Sequence, residues 1–255
     1  MQNKERISKL KKRSERIDDL MNGYFVLQDP KGFCFGVDAV LLSHFPKLRR
    51  KEVALDIGTG CGIIPILMEA RAKAAGYHLE FTAVEIDPGA ADLARRSVEG
   101  NGLEEEVSVL NADIKEISKY LDRGQYSLIT CNPPYFTADQ GAMSDDERIA
   151  AARHETKMNL KDIMSAAEYL LKPKGKICMI HRPERMPEVM ETMMSCGLSP
   201  RRIRTIHPFA DKDAVLFLIE GQKGTLPDLK IERPLVVYES KGVYTKETKA
   251  IYGVE

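Results

Sequence analysis

Residues 131–136 read Cys-Asn-Pro-Pro-Tyr-Phe and follow the apolar run Ser-Leu-Ile-Thr. Asn132 offers a side-chain amide oxygen and Pro133 a backbone carbonyl, so two hydrogen-bond acceptors stand side by side. Pro133 and Pro134 lack the N–H that a strand needs; they close the strand and fix the backbone around those oxygens. Two acceptors held this way suit the N–H groups of a planar amine, whose lone pair they draw back onto nitrogen and aim. Tyr135, with Phe136 beside it, offers a ring face on which an unpaired base can stack. Taken alone, the same residues also describe a plain β-turn.

Three further strand ends carry residues of the same kind. Asp-Ile-Gly-Thr-Gly-Cys-Gly (56–62) follows an apolar run and opens a helical stretch. Glycines at alternate positions let the backbone turn sharply and approach a ligand, with the amides of the next helix facing it. The spacing is G-x-G-x-G and differs from the dinucleotide fingerprint. Val-Glu-Ile-Asp places Glu85 beside that loop. An ionised carboxylate only accepts, which suits two vicinal ribose hydroxyls, although a solvated strand-end acid is the plainer reading. Asn-Ala-Asp-Ile places Asp113 where an adenine amino group can donate to it, or where an Asp simply forms a turn. Together these ends describe a pocket for a ribose-adenine ligand with no phosphate requirement.

The elements that must position these residues follow from periodicity. From residue 51 short β-rich runs alternate with helical stretches: 53–57, 79–86, 107–112, 126–131, 176–181, 201–208 and 213–220 read as strands, with 64–75, 88–102, 160–171 (stopped by Lys-Pro-Lys-Gly) and 184–197 (with a disturbance expected at Pro187) as helices between them. Such alternation implies an α/β fold with a parallel sheet and helices on both faces, ligands binding outside the carboxyl ends of the strands. Before it, Ile7, Leu10, Ile17 and Leu20 recur among basic residues, as a docked amphipathic helix or a frayed arm. Residues 24–45 read as a hairpin around Asp-Pro-Lys-Gly and a short helix. After residue 221 an edge strand and a wrapping tail are expected.

Composition narrows the classes. The chain has 255 residues, 43% of them hydrophobic, enough for one large domain and its core. No apolar stretch is long enough to span a bilayer, and the charged start has no secretory signal. Five scattered cysteines without a C-x-x-C pair read as reduced thiols of a cytoplasmic protein, and neither they nor the five histidines show metal-ligand spacing. Formal net charge is zero, which argues against a purely electrostatic nucleic-acid binder. Basic clusters nevertheless stand at residues 1–16 (seven Lys/Arg against two Glu), 47–51 and 200–204. Each reads as solvated surface or as a contact for a polyanion.

From about residue 51 to 220 the sequence resembles the Rossmann-like S-adenosylmethionine-dependent methyltransferases. Asp56, the glycines Gly58, Gly60 and Gly62, then Glu85 and Asp113 match that class's cofactor motifs in order, and Asn132-Pro133-Pro134-Tyr135 matches its amino-methyltransferase motif. The resemblance implies a seven-stranded, mostly parallel sheet with an antiparallel last strand. It also adds Ile86, Ile114 and Asn132 to the residues around S-adenosyl-L-methionine. Gly-Phe-Cys-Phe-Gly-Val-Asp-Ala-Val-Leu-Leu (32–42), Asp-Glu-Arg-Ile-Ala-Ala-Ala-Arg-His-Glu (146–155) and a tail with Tyr252 resemble the bacterial tRNA adenine-N6 methyltransferases. Those enzymes modify the unpaired adenine next to the anticodon of a valine tRNA, position 37.

This second resemblance implies that Phe35, Gly36 and Asp38 close over the cofactor, core packing being the plainer role for the phenylalanines. Arg153 and His154 stand as RNA contacts, or His154 pairs with Glu155 to cap the next helix. The implied organisation is a basic arm or helix and hairpin closing over the cofactor (1–45), a methyltransferase domain (46–221) and an edge strand and tail (222–255). The expected partner is tRNA, without metal or membrane, as monomer or homodimer. A protein glutamine methyltransferase acting on release factors shares the Asn-Pro-Pro-Tyr motif, but the extension before residue 46 is short for its helical domain. A nicotinamide oxidoreductase is disfavoured by the glycine spacing. A non-catalytic RNA-binding module on a degenerate fold is the alternative of another class.

Overall fold

The structure, a computed structural model, describes residues 2–20, 23–32, 34–133, 158–226 and 228–253. The chain opens with α1 (Gln2–Leu10), β1 (Arg16–Asp19), β2 (Phe25–Gln28) and α2 (Val37–His44). Then come β3 (Val53–Ile57), α3 (Ile63–Ala74), β4 (Glu80–Glu85), α4 (Pro88–Asn101), β5 (Val107–Asn111), a 3-10 segment (Ile114–Lys119) and β6 (Tyr126–Cys131). After the undescribed residues follow α5 (Leu160–Leu170), β7 (Leu171–His181), α6 (Met186–Ser195), β8 (Leu198–His207) and β9 (Leu216–Lys223). The tail carries β10 (Lys230–Ile231), β11 (Leu235–Val236), β12 (Tyr238–Ser240), β13 (Val243–Tyr244) and α7 (Lys246–Tyr252).

The main sheet runs β10-β8-β9-β7-β6-β3-β4-β5, with β11 also paired to β8. β3 to β7 are mutually parallel, and β9 lies antiparallel between β7 and β8. The fold is the expected Rossmann-like α/β sheet with its antiparallel last long strand. It has nine strands because β10 and β11 join parallel to the outer edge of β8. Strand order reverses between β3 and β6, so the ligand crevice of this topology opens at their carboxyl ends.

Alternation along the strands divides the core. Ala54, Phe81, Ala83, Cys178 and Ile180 face a cluster with α2, α3 and α4. Leu55, Ile57, Val84, Ile129 and Ile177 face a second cluster with the 3-10 segment, α5 and α6. Residues one apart thus serve opposite faces, as the period of a strand requires. Local signals fix the helices. Asp87 caps α4 by accepting from Ala90 N at 2.9 Å, Pro88 takes its first turn, and Gly102 ends it at φ +65°. Asn159 and Asp162 form a reciprocal capping box on α5.

Three expectations change. β2 pairs with β1, not with residues beyond Asp-Pro-Lys-Gly. That tetrapeptide does turn, with Gly32 N donating to Asp29 O at 2.9 Å, but it leads to α2 instead of a returning strand. β7 begins at Leu171 and runs back through Lys-Pro-Lys-Gly, which the sequence reads as a helix stop; a register shift lets it pass, and Lys174 adopts φ +63° there. Pro187 does not disturb α6 but sits in its first turn, where no N–H is missed. The N-terminal helix is docked: Ile7 is fully buried, a Cβ on Gly100 of α4 would meet the Ile7 side chain and backbone at 2.7–2.9 Å, and Arg96 bonds Glu15 and Leu10 O.

Candidate active site

The glycine turn follows β3 because the residues after Asp56 must leave the sheet at once. Gly58, Gly60 and Gly62 have φ of +69°, +58° and +84°, values that side chains with a Cβ resist. Gly58 N and Thr59 N both donate to Val84 O, at 2.9 and 3.0 Å, pinning the loop to β4. At Gly62 a Cβ would touch Ala94 of α4 at 3.4 Å, whereas at Gly60 it would meet nothing within 4 Å. The turn is therefore packed at its far end and open in the middle.

Glu85, the last residue of β4, is almost buried and closes the loop from the side. Its Oε2 accepts from Gly60 N and its Oε1 from Asp87 N, both at 2.9 Å. Each oxygen keeps a second lone pair, so the carboxylate can also take a pair of hydroxyls. Ile86 continues from it into the turn before α4, and Asn111 Nδ2 donates to both Glu85 O and Ile86 O. On β5's exit Asp113 does what a turn-forming Asp does: its Oδ1 accepts from Lys115 N at 2.9 Å. Its Oδ2 has the Lys115 ammonium at 3.6 Å, and Ile114 is buried next to it.

Asp56 lies beneath the loop, fully buried. Thr130 donates to its Oδ1 at 2.6 Å, while Oδ2 and the neighbouring Thr59 hydroxyl are buried without a partner among the described residues. Burial pushes this carboxyl up to about 7; the Thr130 hydroxyl holds it back, the nearby Thr59 hydroxyl does so too although it makes no hydrogen bond of normal geometry, and the Glu85 charge adds to the rise. A buried acid with one orphaned oxygen needs a donor from a ligand, and a cationic one would restore its ionised form.

Register brings the amide to this place. Ile57 of β3 pairs with Cys131 of β6, so Asn132 leaves the sheet level with Gly58, on the other side of the switch point. Cys131 is fully buried and Pro133 is buried, which anchors both ends of Asn132. Pro134, Tyr135, Phe136, Arg153 and His154 lie outside the described residues. On the loop's other flank, Phe35 packs against the α2–α4 core and its N–H donates to Gln28 Oε1 at 2.9 Å. Gly36 caps α2 with extended backbone, and a Cβ there would lie 2.9 Å from Asp38 Oδ1. Asp38 is nearly buried in the first turn of α2. Burial raises the Cys61 thiol, within the glycine turn, to about 12. The tail arrives as well. Tyr238, Tyr244 and Tyr252 stack at 5.1 and 5.2 Å, and the Tyr252 hydroxyl, raised first by burial, also feels Asp38.

Two residues of this rim escape sequence reasoning. Cys131 pairs with Met179, so His181 at the end of β7 stands level with Pro133. His181 is 2% exposed; burial keeps its imidazole neutral, with a pKa lowered to about 4, and Nδ1 accepts from Arg182 N at 2.8 Å. Arg182 Nε is buried without a partner among the described residues. The signal available was their position at a strand end, in Met-Ile-His-Arg-Pro. Away from the rim, Glu69 and Glu106 each bring a carboxylate oxygen, and His78 its imidazole Nδ1, within 4.8 Å of one another, Nδ1 lying 2.8 Å from Glu69 Oε1, with the Lys73 ammonium 3.0 Å from Glu106. No helix among the described residues is long and apolar enough to cross a membrane.

The profile of the methyltransferase small domain matches residues 36–196. The chain is 25% identical over 220 residues to a tRNA1(Val) (adenine(37)-N6)-methyltransferase of Photobacterium profundum, covering 86% of this chain and 90% of that one. It is 29% identical over 226 residues to the enzyme of the same name from Trichodesmium erythraeum, covering 88% and 91%. Among solved structures, one titled a "predicted O-methyltransferase" from Agrobacterium tumefaciens superposes with a TM-score of 0.68 at 23% identity, over 85% of this chain and 95% of that one. At that identity the likeness is one of fold.

Proposed function

The chain belongs to the methyltransferase small domain family, and from that premise we propose that it methylates the exocyclic N6 amine of an unpaired adenine in tRNA, position 37 of valine tRNA. S-adenosyl-L-methionine is the methyl donor; when bound, it supplies an electrophilic methyl group on a sulfonium. The residues at the β3–β4 rim fit it. The orphaned Asp56 Oδ2 suits the donor's ammonium group, the Glu85 carboxylate its ribose hydroxyls, and the uncovered backbone at Gly60 leaves room for its close approach. Asp113 and Ile114 offer the edge and face for its adenine, with Phe35, Gly36, Asp38 and Ile86 around it.

The observation that carries the acceptor assignment is Asn132 leaving β6 level with Gly58 at the switch point. In this reading the Asn132 side-chain oxygen and the Pro133 carbonyl each accept one N–H of the adenine amine. That withdraws the nitrogen lone pair from the ring and points it along the transfer line. The buried flanks hold both oxygens in place before the substrate arrives, so little reorganisation accompanies the reaction. The amine proton becomes acidic only once nitrogen carries the methyl group, so no base is required before attack. Tyr135 and Phe136 would stack the base, with Arg153 and His154 along the RNA. The near full-length match to two relatives named for tRNA adenine methylation supports RNA over a protein glutamine.

The test is Asn132→Ala. It is expected to bind S-adenosyl-L-methionine with unchanged affinity by calorimetry while transfer to unmodified valine tRNA falls by roughly 100-fold or more, the scale of a lost positioning contact. Turnover near that of the wild type would refute the role given to Asn132.

A further inference from the structure

The sequence offers three basic clusters as contacts for a polyanion, and the structure separates them. In the 200–204 cluster all three arginines are engaged: Arg201 with Asp228, Arg202 with Glu220 and Glu232, and Arg204 with Glu247. In the N-terminal cluster Arg6, Lys12 and Arg16 pair with Glu104, Asp92 and Asp18, while Lys4, Lys9, Lys11 and Arg13 are exposed without an ion pair among the described residues. In the 47–51 cluster none of Lys47, Arg49, Arg50 and Lys51 has a carboxylate within ion-pair distance among the described residues, and all four are exposed.

The fold then adds to that cluster. The link between α2 and β3 lies against the start of β7, which contributes Lys172, Lys174 and Lys176 from more than a hundred residues away. Lys47, Arg49 and these three lysines line a cavity of about 140 Å³ at the amino ends of β3, β6 and β7. Lys172 and Lys174 are exposed and unpaired among the described residues; Lys176 is committed to Glu220 at 2.8 Å. Two carboxylates face the cavity. Glu220 is neutralised by Lys176 and by Arg202, at 2.8 and 2.9 Å, and Glu52 is buried with its Oε2 accepting from Arg49 N. The lining is therefore net cationic on a chain whose formal charge is zero. Lys174 is also the non-glycine residue given a positive φ among the described residues, +63°, a strained conformation of the kind that persists where the surroundings enforce it.

We infer that this amino-terminal pole of the sheet is a second RNA contact: an anion site in which Lys47, Arg49, Lys172 and Lys174 take backbone phosphates of the RNA whose base is methylated at the opposite pole. The inference rests on the tRNA reading for its partner. The geometry permits one RNA to meet both ends, since β3, of five residues, spans only about 17 Å at roughly 3.3 Å per residue. Phosphate contacts of this type carry no sequence information; they fix the register of the RNA on the protein.

The test is a Lys47→Gln, Arg49→Gln, Lys172→Gln, Lys174→Gln variant of the full chain. All four side chains are exposed, and unchanged thermal unfolding and S-adenosyl-L-methionine binding confirm an intact fold. Affinity for unmodified tRNA is measured from about 50 to 200 mM salt. The variant is expected to bind at least about tenfold more weakly at the low end and to lose about 3 to 3.5 units of the log–log salt slope, at roughly 0.7–0.9 for each of the four cations removed. Affinity and slope equal to the wild type would overturn the proposal. A second arm uses inorganic phosphate and phosphorus NMR. If the wild type binds no tRNA, the functional reading fails by itself; saturable phosphate binding lost in the variant would then still support the anion site, and no such binding would overturn it.

Discussion

Replacing Asp56 with asparagine tests the pocket through its least comfortable group. The carboxyl is fully buried, has one orphaned oxygen, and titrates near 7 where an exposed aspartate titrates at 3.8. A raised pKa in the folded state means that stability is lost as pH rises from 3.8 through 7, because the unfolded chain gains more from ionising. Between pH 5 and 8 ionisation stabilises the unfolded chain by about 4 kcal/mol and the folded one by about 1.4, from 1.36 kcal/mol per pKa unit. The wild type should therefore lose about 2–3 kcal/mol from this group over that interval, and Asp56→Asn should not. The assay is urea unfolding of both proteins at pH 5 and pH 8, without cofactor, comparing the difference between them so that other titrating groups cancel. The gap should move by about 2–3 kcal/mol in favour of the variant at pH 8. A gap that stays constant would mean the carboxyl is not desolvated and that the orphaned oxygen does not await a ligand. Donor binding by the wild type should strengthen as pH rises through about 7, with proton release below it, and the variant should bind weakly at every pH.

His44 provides the opposite slope: burial lowers its pKa to about 4, so its contribution is complete above 6.5 and lost as pH falls from 6.5 through 4. His44→Gln should flatten acid unfolding in that window, and an unchanged acid limb would contradict the assignment. Gly100→Ala should destabilise by about 1–3 kcal/mol and loosen α1, because the new methyl lands on Ile7 backbone as well as side chain. Denaturation together with proteolysis of residues before 16 would show this; wild-type values in both would refute the docking.

Much of the fold can be read from local pattern. The strands around β3 to β6 have apolar runs of the right length, glycines follow where the chain must turn, and Asp87-Pro88 and Gly102 bracket α4. What stayed hidden depends on partners distant in sequence. β1 is Arg-Ile-Asp-Asp, a polar stretch without alternation, and becomes a strand because β2 lies beside it. β10 and β11 have two residues each and exist through β8. The site divides the same way. Glu85, Asp113 and Asn132 announce themselves by type at strand ends, whereas His181 and Arg182 gain meaning only from the β6–β7 register. Asp56 looked like a simple acid before a glycine turn; its burial and missing partner are properties of the packed sheet. Likewise, charge runs in sequence do not reveal which cations are already paired, which is why Arg201, Arg202 and Arg204 resembled Lys47 to Lys51 until the pairs were seen.

The most direct test of the central claim is the identity of the methylated nucleoside. Unmodified valine tRNA, incubated with the protein and isotopically labelled S-adenosyl-L-methionine, is digested and analysed by mass spectrometry. Labelled N6-methyladenosine in the anticodon-loop fragment, absent with Asn132→Ala, is the predicted result. Label on a release-factor glutamine, or on no position of the RNA, would contradict it.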